Sequence, residues 1–83
     1  MVAGASRATV SFGLSQASTV SLAVFSVSGR LIETLAGTRL DAGDYSFSWS
    51  GKSGGGSRVA PGVYFIRLVT PTRDETRRVV VVK

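Results

Sequence analysis

Short segments in which apolar and polar residues alternate constrain the fold of this chain more than any other feature of its sequence. The alternation covers residues 10–14, 19–25, 45–49 and 64–69. A period of two over four or more residues is typical of a β-strand with one buried face. No window of a dozen residues carries the apolar stripe of a helix, so the chain is predicted to be all-β.

Three less regular segments complete the strand prediction. Residues 31–35 could form one helical turn by propensity, but turn residues flank them closely and a strand is expected. Residues 79–82 are a continuous run of valine, which suits a strand covered on both faces. Residues 58–60 are predicted to add a seventh short strand to six well-defined ones.

Turn signals separate these segments at intervals of roughly 8–12 residues, which indicates an antiparallel sandwich or barrel. Because each strand must bury one face, two packed sheets are expected. The aromatic residues expected at the centre of the core are Phe12, Phe47, Trp49 and Tyr64. Trp49 and Tyr64 are interpreted as core residues rather than ligand-stacking ones, and the Tyr64 hydroxyl is expected to bond a backbone group.

The chain has 83 residues, which fits a single domain over residues 1–83. Residues 1–7 are predicted to be a flexible lead-in or linker. No apolar run approaches the ~20 residues that a membrane-spanning helix needs. No signal peptide is predicted in residues 1–7, because Arg7 and nearby serines interrupt any apolar segment.

The composition argues against an enzyme and against a metal or cofactor site. The chain has no histidine and no cysteine, so the commonest general base, the thiolate ligands and the usual partner of a nucleophilic serine are missing. Its five acidic residues are scattered, and only Asp41 and Asp44 share a turn near the tryptophan strand. The net charge of +5 is spread along the chain, so nucleic-acid binding is not predicted either.

The sequence Gly51-Lys52-Ser53 superficially resembles a phosphate-binding loop. A Walker-type loop requires a glycine five positions before Gly51, where this chain has Ser46. Three consecutive glycines, residues 54–56, follow in place of a helix start. The segment is therefore interpreted as a flexible connection that ends in a Pro61-Gly62 turn.

Several motifs in order resemble a known family. They are residues 24–35 (VFSVSGRLIETL), 40–45 (LDAGDY), 49–51 (WSG), 58–65 (RVAPGVYF) and the closing strand 77–83 (RRVVVVK). Together they resemble the C-terminal sorting domains of the type IX secretion system, also called Por secretion tails. They equally resemble the related Ig-like domain of flagellar hook-capping proteins.

The resemblance implies an immunoglobulin-like antiparallel β-sandwich of about seven strands. It also implies a non-catalytic module at the C-terminus of a larger exported bacterial protein, which passes through the periplasm and is secreted or anchored at the cell surface. Its partners would be translocon components or neighbouring domains of the same chain. In this chain Ser50 replaces the acidic residue that usually follows the tryptophan in the family. If that acidic side chain anchors the loop in the family, the anchoring interaction is expected to be absent here.

The resemblance implies that translocon components read the closing strand, in which basic residues flank an uncharged apolar run as gatekeepers against edge pairing would. These residues are Arg77, Arg78, Val79, Val80, Val81, Val82 and Lys83. The alternative is an ordinary sheet strand. The residues that carry the structural motif are Gly29, Arg30, Gly43, Trp49, Gly51, Pro61, Gly62 and Tyr64. Arg30 is expected to be a solvated strand residue, with a partner contact as the alternative.

Two functions follow from these observations. The first is secretion, sorting and surface anchoring of a cargo. The second is a structural module of a flagellar cap, extracellular filament or multidomain spacer, which would associate through its edge strands and form a homo-oligomer. The sequence leaves open the cargo, cleavage, the organism, the oligomeric state and whether residues 50–58 bind anything.

Overall fold

The computed structural model describes residues 8–82 and contains six strands in that range. They are β1 (Ala8–Leu14), β2 (Ser18–Ser26), β3 (Leu31–Leu40), β4 (Gly43–Trp49), β5 (Gly62–Thr70) and β6 (Arg73–Val81). The predicted lead-in, residues 1–7, and Lys83 lie outside the described residues. Within residues 8–82 no helix is long and apolar enough to cross a membrane.

The strands form two antiparallel sheets, one of two strands in the order β1-β4 and one of four in the order β3-β2-β5-β6. The all-β prediction is confirmed. The predicted seventh strand at residues 58–60 is not a strand, since Arg58 forms only an isolated bridge with Lys52. The three glycines between them turn the chain so tightly that the two arms end after one bridge, and Pro61 has no N–H to extend the pairing.

A single apolar core joins the inner faces of both sheets. The alternating residues Val20, Leu22 and Val24 of β2 are completely buried, and Ile66 of β5 is nearly so. From the smaller sheet, Val10, Phe12 and Trp49 pack against them. The predicted inner faces of β1, β2 and β5 are therefore confirmed, because the period-two pattern places alternate side chains on one side of a strand.

The aromatic prediction holds for Phe12, Trp49 and Tyr64, which are all buried. Phe47 was expected at the centre but is only half-buried at the margin of the core. Its ring stacks on Phe12 at a centroid distance of 6.0 Å, and Tyr45 completes the group. The correction follows from the narrow β1-β4 sheet, where β4 has no neighbour on its other side among the described strands.

The valine run also differs from its prediction. Val79 is buried, but Val80 and Val81 are half-buried and Val82 is 41% exposed. The run is thus not covered on both faces. The reason is its position, because β6 lies at the edge of the larger sheet, where neighbouring strands and the opposite sheet give less cover.

Candidate interaction site

The candidate residues 77–81 lie in β6, which has a free edge, and Val82 directly follows this strand. β6 pairs with β5 along its whole length, from Thr70↔Arg73 to Gly62↔Val81. No other strand within residues 8–82 pairs with its outer edge. An unpaired strand edge exposes N–H and C=O groups that can bond another extended chain. Such an edge is therefore a candidate binding surface.

The opposite edge of the same sheet is partly covered by the chain itself. The Gly54 N–H donates to the Ile32 carbonyl of β3 at 2.9 Å. The Thr34 N–H donates to the Glu33 carboxylate at 2.9 Å. β1 and β4 also have one partner each, but they are shorter than β6, with seven residues each against nine. Short edge strands and occupied edge groups both discourage pairing with another chain, so β6 is the better candidate.

Charged side chains divide β6 into two parts. Arg73 forms an ion pair with Glu75 at 2.9 Å, and Asp74 accepts two hydrogen bonds from Arg67 of β5, at 2.9 Å and 2.6 Å. The hydrogen bond from Arg67 lowers the pKa of Asp74, and the same bond raises the pKa of Arg67. Between Arg78 and the end of β6 the strand carries no charge. The apolar end from Val79 onward is therefore the part best suited to an apolar partner strand.

The two arginines of the candidate set lie on opposite faces of the sheet. Arg78 is opposite Phe65 on the outer face, whereas Arg77 is opposite the buried Ile66. Arg77 also lines a cleft of about 160 Å³ between β6 and the start of β1, together with Ala8 and Val10. An inward-pointing charge on an edge strand discourages unwanted pairing, and Arg77 places such a charge two residues before the apolar end of β6.

The loop of residues 50–58, predicted as a flexible connection, contains several internal hydrogen bonds. The Trp49 indole N–H donates to the Lys52 carbonyl at 2.8 Å, and the Val59 N–H donates to the Gly51 carbonyl at 3.0 Å. The Ser53 N–H donates to the Ser57 carbonyl at 2.8 Å. The loop is thus a small hydrogen-bonded hairpin. Backbone and indole donors tie the loop down in place of the acidic residue that is absent after Trp49.

The structural motif residues occupy turns and strand starts. Gly29 has φ of +86° in the turn before β3, a conformation that favours glycine. Arg30 is exposed but lies just before β3 rather than inside a strand, which corrects the prediction. Gly43 and Gly62 begin β4 and β5. Tyr64 donates to the Ala60 carbonyl at 2.5 Å, as predicted, with Pro61 between them.

One candidate surface was missed from the sequence. Phe25 and Phe65 occupy the positions of β2 and β5 that point away from the core, where alternation predicts polar residues, and both are only half-buried. The signal was present in the sequence, since both residues break the alternation. Their proximity was not, because it depends on how β2 and β5 pair.

The fold and its free edge define a small antiparallel β-sandwich of the immunoglobulin-like class. The family model for the FlgD Ig-like domain matches residues 2–74. The chain therefore belongs to the FlgD Ig-like domain family. The comparison with curated proteins gives no match.

Two solved structures are similar. FlgD from P. aeruginosa has a TM-score of 0.63 and 25% identity, and the match covers 89% of this chain and 58% of that one. FlgD from Xanthomonas campestris, whose structure is described as giving insights into the hook capping essential for flagellar assembly, has a TM-score of 0.68. At 22% identity, with 95% of this chain and 58% of that one covered, it supports the fold alone. The chain thus spans little more than half the length of each.

Proposed function

We propose that this chain is a non-catalytic structural module of an extracellular bacterial assembly, such as a flagellar cap. Its role is to provide subunit contacts through the free edge of β6. Membership of the FlgD Ig-like family supports the structural role. The proposed location is outside the cell, by analogy with the hook capping described for FlgD of the same family. The secretion and sorting function, which was the first expectation from the sequence, receives no support from the comparisons.

The observation that carries the proposal is the combination of a free β6 edge with an uncharged apolar end. Val79 anchors this end in the core, whereas Val82 is 41% exposed. Main-chain hydrogen bonds to a free edge give affinity, and pockets or apolar side chains give specificity. The proposed partner of this edge is an extended strand of a neighbouring subunit.

Sedimentation velocity of the 83-residue chain at micromolar concentrations tests the proposal. We expect reversible self-association, with added protection of the β6 amides in hydrogen exchange as concentration rises. Val82→Lys should weaken it, because Val82 directly follows β6 and a lysine beside the end of an edge strand opposes strand addition. Ser48→Lys, on an exposed position of β4, is the matched control and should leave it unchanged.

Two results would contradict the proposal. One is a chain that stays monomeric at every concentration and ionic strength. The other is self-association that Val82→Lys and Ser48→Lys affect equally, since the contact would then not involve the β6 edge.

A further inference from the structure

The outer face of the four-stranded sheet carries apolar side chains that do not belong to the core. Leu31, Phe25 and Phe65 lie directly opposite one another across β3, β2 and β5. In the next row, Val63 of β5 lies opposite Val80 of β6. These five residues and Val27 form the outer-face patch. None of them belongs to the core cluster or packs against it.

The outer-face patch is accessible. Val27 is 70% and Leu31 is 55% exposed, and the other members are half-buried. At one end, the turn at residues 26–28 and the segment 61–64 border an open groove of about 400 Å³. Apolar side chains that lie together on an accessible face, rather than singly, mark interaction sites. The patch therefore offers a flat apolar platform with a groove at its end.

A basic residue borders the platform at its β6 side. Arg78 of β6 lies opposite Phe65 on the same face. It is exposed and forms no ion pair within residues 8–82. Arg67 and Arg73 are different, because each already has a carboxylate partner. An apolar centre with arginine at its rim is the usual composition of a protein-binding surface.

We propose that the outer-face patch binds a segment of a different protein, in which apolar side chains are flanked by carboxylates. The apolar side chains would cover Phe25 and Phe65, and a carboxylate would reach Arg78. Charge argues against a second copy as the occupant, because two copies facing each other would oppose arginine to arginine in chains of net charge +5. This binding would involve the outer face of the sheet and a different protein. Edge pairing, by contrast, would involve the β6 edge and a neighbouring subunit.

Two synthetic peptides test it against the 83-residue chain. One has a leucine and phenylalanine centre with two glutamates at each end, and its matched control has lysine in place of every glutamate. We expect amide chemical shifts of the outer-face patch to move with the glutamate peptide, and the lysine peptide to bind at least about tenfold more weakly. The readout is a titration followed by two-dimensional NMR.

Variants distinguish the outer face from the β6 edge and from a general charge effect. Arg78→Glu should weaken binding of the glutamate peptide by about tenfold, and Phe65→Thr should weaken it as well. Arg39→Glu makes the same charge change at the opposite end of the sheet, beside Thr19, and should leave binding unchanged. Val82→Lys should not weaken binding of the glutamate peptide, so failure of edge association does not imply failure of this proposal. A urea midpoint for each variant confirms folding.

Three outcomes would overturn the proposal. The first is equal binding of the two peptides. The second is a set of shifts confined to the β6 edge amides. The third is loss of self-association in Phe65→Thr, because the occupant would then be a second copy of the chain.

Discussion

The two tyrosines of this chain make the same local contact in two places. Tyr64 donates to the Ala60 carbonyl and Tyr45 donates to the Asp41 carbonyl, each four residues upstream. In both cases a glycine that begins the strand lies two residues before the tyrosine, with φ of +151° at Gly62 and +148° at Gly43. The arrangement is similar to the tyrosine corner of immunoglobulin-like sandwiches. It fixes the entry of the chain into β4 and β5.

The first residue-scale prediction compares these two tyrosines. Tyr64→Phe should lower the free energy of unfolding by about 1–2 kcal/mol, because a partly buried carbonyl loses its donor. Tyr45→Phe should lower the free energy of unfolding by less, because the Tyr45 hydrogen bond is exposed and water can replace the hydroxyl. Urea unfolding of both variants measures the difference. Equal losses would show that burial does not set the strength of these contacts.

The second residue-scale prediction concerns Asp74. Its pKa in the folded chain is lowered by the hydrogen bond from Arg67, so the pair stabilises the fold when Asp74 is ionised. That contribution is present above the ordinary value of 3.8 and is lost as the pH falls through the lower folded value. Asp74→Asn should therefore be slightly less stable than the parent at neutral pH. This difference in stability should disappear at acidic pH. The effect is small because the pair is exposed.

Thermal unfolding across this pH range measures the Asp74 effect. The double variant Asp74→Asn with Arg67→Gln is the control, and it should be little less stable than either single variant if the two side chains act as a pair. A gap that persists unchanged in acid would show that Asp74 acts through something other than its charge.

At the scale of elements, the loop of residues 50–58 and β3 depend on each other. The loop is closed by its own backbone bonds, and its Gly54 N–H occupies the Ile32 carbonyl on the edge of β3. β3 itself extends to Leu40, beyond the predicted residues 31–35, although Gly37 was expected to mark a turn. Pairing with β2 overrides that local signal, since Gly37 lies opposite Ser21 within the ladder.

A pair of glycine variants tests the loop. Gly51 has φ of +83°, and Gly51→Ala should cost about 1–2 kcal/mol because a side chain strains this left-handed conformation. Gly55 has no positive φ and an added Cβ there meets nothing within 4 Å, so Gly55→Ala should be close to neutral. Urea unfolding compares the two. A neutral Gly51→Ala would show that the loop relaxes without loss of stability.

At the scale of the whole molecule, a two-stranded sheet covers a four-stranded one. The larger sheet therefore keeps a free edge at β6 and an outer face with no covering layer among the described strands. The chain has a net charge of +5, which opposes contact between copies. Self-association through β6 must overcome this repulsion, whereas an acidic partner on the outer face would benefit from the same charge.

The charge leads to a prediction for the whole molecule. Raising the ionic strength should strengthen self-association, because salt screens the repulsion between like-charged copies. The same change should weaken binding of the glutamate peptide to the outer-face patch. Sedimentation velocity and peptide titration at low and high salt measure the two effects. Self-association that weakens with salt would show that ion pairs, rather than the apolar end of β6, hold the copies together.

A structural feature could be predicted from the sequence when it depends on residues that are close together in the chain, and not when it depends on how distant strands pair. The buried faces of β1, β2 and β5 were predictable, because the alternation of a strand is a local property. So was the Tyr64 hydroxyl bond, since a buried hydroxyl needs a partner. The half-burial of Phe47 and the exposure of Val82 were not predictable, because they depend on where β4 and β6 lie in their sheets.

The sequence by itself determined that the chain forms strands with one buried face, because its apolar residues recur with a period of two, and its closely spaced turn signals indicated antiparallel pairing. Only the tertiary structure decided which strand is left at an edge and which apolar residues meet on the outer face. Phe25 and Phe65 are far apart in the chain, and the pairing of β2 with β5 brings them together. Strand order is a nonlocal outcome, so the candidate surfaces of this protein appear only in the folded chain.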